Sequence, residues 1–289
     1  MTDSFTARYD SLISGFIGHV PLFVAECEDA EVLQVERASV FPVAVMGRLV
    51  PDAFDALVAP RDCLTIADRL GQVRPAYAGL LVYGWVQAFA LAENALGADQ
   101  RERCRSALLA WGGQLDEFLP MLLPVLDRHL PLAAWTGLAM MATGQVLDRP
   151  AWSAKACDLF RRIAAGQTPG GAFRAQSAAD NLESFWYDEL VILHAITSFC
   201  VRWPGLIDLS VIARAADFHF NEIQPDHATG EPWALLAFIL HEPARMLADQ
   251  MLHGVSMQFP DGVNGVAAIL LADGLQGLRL ASARERKRL

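Results

Sequence analysis

The chain has 289 residues, of which 53% are hydrophobic, and carries a formal net charge of −10 at neutral pH. This acidic balance disfavours phosphate backbones and anionic lipid, so we expect no nucleic acid and no membrane partner. No uncharged apolar run approaches the roughly 18 residues of a membrane span, so the apolar excess is expected inside the protein.

The N-terminal sequence and the cysteines indicate a cytoplasmic protein. Acidic residues come early in MTDSFTARYD, without the basic and then apolar order of a signal peptide. The five cysteines, at positions 27, 63, 104, 157 and 200, form no CxxC or close pair. This spacing predicts reduced thiols in a reducing compartment.

The first 72 residues are irregular in pattern. Their β-branched runs are compatible with short strands or with a first irregular hairpin, and PDAFDALVAP (51–60) predicts one helix between prolines. We predict one domain over 1–289, in which 1–72 forms a capping segment and 73–289 consists of helical hairpins.

From about residue 73 the sequence predicts one helix after another, and the class is all-α. One set is apolar nearly all round and is expected to be buried: 76–96, 132–147, 182–201, 232–241 and 263–280. The set between them is amphipathic and is expected to lie outside: 101–123, 151–165, 207–222 and 243–257.

The tryptophans of the inner helices repeat with a regular period. Trp85, Trp135, Trp186 and Trp233 are separated by 50, 51 and 47 residues. A period of this length indicates repeated helical hairpins, and five or six of them can close into a ring that leaves no open end. The alternative is an irregular helical bundle in which this spacing is accidental.

TPGGAF (168–173), followed by SFWYDELVILHAITSF, resembles one repeat of the α/α toroids of the terpenoid cyclase and protein prenyltransferase group. The resemblance implies a closed ring of inner and outer helices. The sequence lacks the DxDD and DDxxD motifs and the zinc-binding Asp-x-Cys of those proteins. The fold is therefore carried over from the resemblance, and the activities are not.

In such a ring all inner helices run in the same direction, so the segments that precede them meet at one mouth. Those segments hold the polar residues of the inner layer: Arg74, Tyr77, Arg128, His129, Arg174, Asn181, Glu183, Asp188, Glu189, Asp226, His227, Glu231, Asp261 and Asn264. Some have ordinary structural explanations. Asn181 fits a helix N-cap, and Glu183 and Glu231 can complement helix dipoles.

Asp188 and Glu189 lie in the second turn of a predicted inner helix, beyond the capping positions. At least one of them is expected to face inward, where burial raises the pKa of a carboxyl toward the range of a general acid or base. A partner arginine, from among Arg174, Arg74 and Arg128, would instead hold the carboxylate ionised in a structural ion pair.

Asp226 and His227 lie in a polar loop ahead of the next inner helix, where His227 could exchange protons near neutrality. His194 and His241 lie within or at the ends of apolar helices and are interpreted as core residues. No HxH or HxxxH spacing supports a metal site, so we predict no metal and no cofactor.

The leading hypothesis is a biosynthetic acid–base enzyme of the cyclase or lyase type that acts on a small organic or isoprenoid-like substrate. Its predicted catalytic residues are Asp188, Asp226, His227 and Glu231. Its predicted substrate-binding residues are Tyr83, Arg174, Glu183, Trp186, Tyr187 and Trp233. Aromatic walls suit a sugar ring or a developing cation.

Two alternatives stay open. One is a carbohydrate-active hydrolase or lyase, because paired carboxylates serve that chemistry equally well. The other is a non-catalytic protein that binds a ligand or assembles with other subunits, as a homo-oligomer or a hetero-oligomer. This last alternative predicts that carboxylates at the mouth pair with arginines and that no deep cavity exists.

Overall fold

The computed structural model describes residues 75–174, 181–222, 231–258 and 264–288, with short helical pieces at 7–8, 11–12, 39, 42–43 and 45–46. The described residues contain helices and no strand, which confirms the all-α prediction for these ranges. The strands considered for 1–72 lie almost wholly outside the described residues. Tyr77 and Arg128 lie within helical elements, but their side chains are not among the described parts of the structure. Arg74 lies wholly outside the described residues.

The helices follow the predicted order along the chain. Their bounds are α1 Pro75–Ala92, α2 Ala98–Leu122, α3 Leu130–Val146, α4 Pro150–Ala165, α5 Leu182–Arg202, α6 Ser210–Glu222, α7 Leu235–Leu240, α8 Arg245–Gln258 and α9 Gly265–Arg288. Short 3-10 turns at Glu93–Ala95, Leu123–Arg128 and Glu242–Ala244 join some of them.

The burial pattern separates inner from outer helices. In α3 every residue from 133 to 144 is buried, and in α5 every residue from 189 to 201 is buried. The outer helix α4 buries only Ala156, Leu159, Phe160 and Ile163, whose spacing forms one stripe. The distribution of apolar residues therefore assigned the inner and outer positions correctly for these helices.

The inner helices pack against one another in succession. α1 contacts α3, α3 contacts α5, α5 contacts α7, and α9 contacts α1, α5 and α7. The approach of α1 to α3 depends on Gly79, because a Cβ at this position would lie 2.6 Å from the Cβ of Trp135. A buried aromatic cluster follows from this packing. Trp135 lies 5.8 Å from Tyr83 and 5.7 Å from Trp233, measured between ring centroids.

Helix α7 begins later than the predicted 232, at Leu235. The reason is Ala234, which has a φ of 57° and so lies in the left-handed region that interrupts a right-handed helix. The backbone N–H of Ala234 donates to Nδ1 of His194 at 3.2 Å. This contact holds the bend in place against α5.

A buried carboxylate joins α9 to α5. Asp273 is fully buried within apolar α9. One of its oxygens accepts from Nη2 of Arg202 at 2.6 Å, and the other accepts from Oγ of Ser198 at 2.5 Å and from Nε2 of His194 at 3.2 Å. Because Nδ1 of His194 accepts from Ala234, the ring proton belongs on Nε2. His194 is thus satisfied on both sides, as predicted for a core histidine.

The charge of Asp273 is stabilised by its neighbours. Burial alone would raise the pKa of Asp273, but the Arg202 guanidinium and the hydrogen bonds from His194 and Ser198 hold it well below its usual range. Arg202 also donates to Oε1 of Gln276 at 2.9 Å. Asp273 and Arg202 therefore form an ionised, hydrogen-bonded pair within the core.

Helix α9 also contains a stretch, Gly265–Arg284, that is long and apolar enough to cross a membrane by length and composition alone. Of an apolar 18-residue segment within this stretch, 61% is buried inside the protein. The buried core helix of a protein can have the same length and composition as a membrane span. Asp273 lies within this stretch and is bonded to α5. We describe α9 as a core helix, and the absence of a membrane partner stays a prediction.

Replacing Asp273 with asparagine is expected to lower the free energy of unfolding by about 3 kcal/mol or more, because it leaves the buried guanidinium of Arg202 without its counter-charge. Urea denaturation at neutral pH measures this loss. Asp158→Asn is the matched control, since Asp158 forms an exposed ion pair with Arg161 at 2.9 Å on α4. Equal losses in the two variants would contradict a stabilising role for the buried network.

Candidate functional site

A tight turn ahead of α5 supplies the first part of the site. Gly171 has a φ of 101°, and a Cβ there would lie 2.2 Å from the carbonyl oxygen of Arg214 on α6. Only glycine fits this position. The side chain of Gln167 donates to the carbonyls of Gly171 at 2.8 Å and Val211 at 2.9 Å. The turn is therefore fixed against α6, and residues 172 and 173 are buried beneath it.

Glu189 connects this turn to α5. Its side chain is fully buried, and its two oxygens accept from the backbone N–H of Phe173 at 2.6 Å and of Arg174 at 3.2 Å. Burial raises the pKa of Glu189 to about 7, although the two N–H groups and the charge of Arg174 act in the opposite direction. Glu189 is thus the inward-facing carboxylate of the adjacent pair.

Asp188 faces the other way, toward solvent. Its side chain is 35% exposed and lies with Oδ2 3.6 Å from Nη2 of Arg174. The guanidinium of Arg174 also lies over the ring of Phe185, 4.7 Å from its centroid. Arg174 is one of the three arginines proposed from the sequence as partners of this carboxylate, and the side chains of Arg74 and Arg128 lie outside the described residues.

Glu231, in the segment before α7, forms the second carboxylate of the site. Its Oε2 accepts from Nε1 of Trp233 at 2.8 Å and from the hydroxyl of Tyr187 at 3.3 Å. The rings of Tyr187 and Trp233 meet edge to face at a centroid distance of 6.1 Å. The first turns of α5 and the segment that precedes α7 are therefore adjacent, as the predicted common mouth requires for these two helices.

An open depression lies at this junction. It has a volume of about 300 Å³ and is lined by Glu183, Ser184, Tyr187 and Asp188. Glu183 is exposed in the first turn of α5, where Asn181 is the N-cap and accepts from the N–H of Glu183 at 3.0 Å. Each of the four lining side chains carries a carboxyl or a hydroxyl group, so the depression offers hydrogen bonds to a ligand with many hydroxyl groups.

The other predicted site residues are distributed unevenly. Trp186 is half-buried on α5 and precedes Tyr187, which lines the depression. Tyr83 and Trp233 are fully buried in the aromatic cluster, so neither ring faces solvent. Asp226 and His227 lie outside the described residues. Their catalytic role stays a prediction, as do the substrate-binding roles of Tyr83 and Trp233.

Other histidines of α6 and the region after α7 are placed in structural positions. His241 is half-buried, with Nε2 2.6 Å from Oδ1 of Asp217. His219 is buried, neither ring nitrogen has a hydrogen-bond partner among the described residues, and burial lowers its pKa to about 3. Within the described ranges no group of three or more His, Cys, Asp or Glu side chains could hold a metal ion.

Sequence reasoning did not assign a role to Gln167 or to the backbone N–H groups of Phe173 and Arg174. The adjacent glycines of TPGGAF signalled a tight turn, but nothing in the sequence pairs a turn amide with a carboxylate 15 or 16 residues later. The partnership of Asp273 with α5 was missed for the same reason, because it joins residues more than 70 positions apart.

Comparison with known proteins returns no match to a family model, to a curated protein or to a solved structure. The resemblance to α/α toroids therefore stays a prediction.

Glu189 is expected to make stability depend on pH in a definite direction. The pKa of Glu189 is about 7 in the folded protein, against 4.5 for an ordinary glutamate. Between these pH values the Glu189 carboxyl is therefore protonated in the folded state and ionised in the unfolded state. The stabilising contribution is complete below about pH 4.5 and is lost as pH rises through about 7, an effect of up to about 3 kcal/mol. Urea unfolding at about pH 5 and about pH 8 measures it.

Glu189→Gln removes the titrating group, so its free energy of unfolding is expected to fall less than that of the wild type over this interval. Subtracting the free energy of unfolding of the variant from that of the wild type at each pH removes the contributions of other titrating groups, including His219. Parallel pH profiles for wild type and variant would contradict the raised pKa.

Proposed function

We propose that this chain is an acid–base enzyme that cleaves a hydroxylated, sugar-like substrate, by elimination or hydrolysis, in the depression at the start of α5. The observation that supports it most directly is the hydrogen bond from the Tyr187 hydroxyl to Glu231, because Tyr187 lines the depression beside Asp188. A phenol and a carboxylate in the lining, with a second carboxylate bound to the phenol, supply a proton donor and proton acceptors.

The proposed roles follow from the contacts. Asp188, beside the positive charge of Arg174, is the carboxylate that accepts a proton from substrate or water. The Tyr187 hydroxyl, which donates to Glu231 in this structure, gives its proton to the leaving oxygen as the bond to that oxygen breaks, and water then returns a proton to the phenolate. Trp233 orients Glu231. Asp226 and His227 precede Glu231 in the chain, and their proposed catalytic role rests on the sequence alone.

A sugar-like substrate agrees better with this surface than the isoprenoid-like substrate of the leading sequence hypothesis. A hydrocarbon chain needs an apolar cavity. The rings of Tyr83, Trp135 and Trp233 pack against one another and are fully buried. The lining residues Glu183, Ser184 and Asp188 offer hydrogen bonds to hydroxyl groups instead.

We also propose that the inner helices form the closed ring predicted from the tryptophan period. The contact of α9 with α1, together with the contacts from α1 through α3 and α5 to α7 and α9, supports this arrangement. In such a ring the depression lies at one mouth, where the ends of consecutive inner helices meet.

A second candidate is a protein that binds the same class of ligand without cleaving it. The ion pair of Arg174 with Asp188 favours this alternative, because a carboxylate engaged by an arginine is less available as a base. The first and second candidates therefore differ in turnover rather than in the ligand.

An activity assay distinguishes them. The wild type is incubated with neutral and uronate-containing oligosaccharides, and new reducing ends are measured together with the ultraviolet absorbance of unsaturated elimination products. We expect turnover of at least one substrate, with Tyr187→Phe and Asp188→Asn each losing about 100-fold or more in kcat/KM. Asp158→Asn, which disrupts an Asp–Arg pair elsewhere, is expected to retain full activity.

Stabilisation of the wild type by an oligosaccharide in thermal unfolding, without turnover, would support the second candidate. Consumption of geranyl diphosphate, with no response to any oligosaccharide, would contradict a sugar-like substrate. Undiminished turnover in Tyr187→Phe and Asp188→Asn would contradict the proposed site.

A further inference from the structure

Glu189 occupies a position between the core and the depression. Its carboxylate binds the N–H of Phe173 and the N–H of Arg174, the last two described residues of the turn. The side chain of that same Arg174 extends over Phe185 to Asp188. Two neighbouring residues of α5 therefore contact the same arginine. Glu189 binds the backbone N–H of Arg174, and Asp188 lies beside the guanidinium of Arg174.

We propose that Glu189 is a positioning residue, whose buried carboxylate fixes the backbone at Phe173 and Arg174 and thereby holds the Arg174 guanidinium against Asp188 at the depression. The significance of this placement for catalysis rests on the proposed function, while the placement itself does not. Glu189 is buried and is not among the described residues that line the depression, and its contact with the turn reaches the site through Arg174.

The beginning and the end of the turn are held by different groups. Its beginning is fixed by Gln167, by the N–H of Thr168, which donates to the carbonyl of Ala172 at 2.8 Å, and by the N–H of Gly171, which donates to the carbonyl of Thr168 at 3.0 Å. Its end, which carries Arg174, is bound by Glu189. Fixing the turn as such therefore does not require Glu189, but placing Arg174 does.

A carboxylate is suited to this task because it offers two acceptor oxygens and no donor. Protonation converts one oxygen into a hydroxyl, which competes with the N–H group that it formerly bound. Since burial raises the pKa of Glu189 to about 7, this change is expected near neutrality. The hold on Arg174 should then be complete above that pH and weaker below it.

The charged groups around Glu189 leave this titration in a simple form. Among the described residues, Arg174 from the turn and Asp188 on α5 are the charged groups that shift the pKa of Glu189. The groups on the other packed elements are engaged or neutral: Arg214 on α6 binds Gln167, Asp217 binds His241, buried His219 is uncharged above about pH 3, Glu231 binds Trp233, and Asp273 on α9 binds Arg202.

NMR of the full-length chain tests the inference without a substrate. The backbone N–H signals of Phe173 and Arg174 and the Nε–H signal of the Arg174 side chain are followed from about pH 5 to about pH 9. We expect all three signals to shift with one common midpoint near 7, and the Arg174 side-chain signal to carry a ring-current shift from Phe185 that is largest above the midpoint.

Three variants serve as controls. In Glu189→Gln none of the three signals should titrate, and the ring-current shift should fall to the level seen in Phe185→Leu, where the ring is absent. In Asp188→Asn a common midpoint should remain, moved to a somewhat lower pH by the loss of the Asp188 charge, which assigns the titration to Glu189. The wild-type titration stands alone if Glu189→Gln fails to fold.

Titration of the two backbone signals without the Arg174 side-chain signal would overturn the inference and leave Glu189 a purely structural residue. Backbone signals that do not titrate with this midpoint would overturn it as well. Failure of the oligosaccharide assay would refute the proposed function and leave these NMR outcomes unaffected.

Discussion

The buried carboxylate of Asp273 is the constraint on which the arrangement of the inner helices depends. His194, Ser198 and Arg202 follow one another at intervals of four residues on α5, so they form one stripe, and all three bind Asp273. Satisfying the buried charge therefore fixes the rotation of α5 against α9. Once that rotation is fixed, Glu189 faces the turn before α5 and Asp188 faces the depression.

The same interaction extends to α7. His194 donates its Nε2–H to Asp273, and its unprotonated Nδ1 accepts the N–H of Ala234. The left-handed conformation of Ala234 delays the start of α7 and places Trp233 and Glu231 in the turn ahead of it, where both meet Tyr187. The depression thus derives its shape from polar contacts in the core.

Helix order and the assignment of inner and outer helices could be predicted from the sequence, because helix burial follows local periodicity and Pro or Gly punctuation. The start of α7 could not, since the bend at Ala234 depends on a histidine 40 residues away. In the candidate site, the sequence showed that either Asp188 or Glu189 should face inward. The choice between them, and the choice of Arg174 as partner, depend on contacts between segments that no local pattern encodes.

The turn before α5 has a consequence for mutational tolerance. Gly170 and Gly171 are neighbours that look equivalent in the sequence. Gly170 is exposed, and its nearest neighbour to an added Cβ is the Thr168 hydroxyl oxygen at 3.9 Å, whereas a Cβ on Gly171 would meet the backbone of α6. A side chain can therefore be introduced at Gly170 without displacing the turn, but any side chain at Gly171 would displace the turn and carry Arg174 away from Asp188.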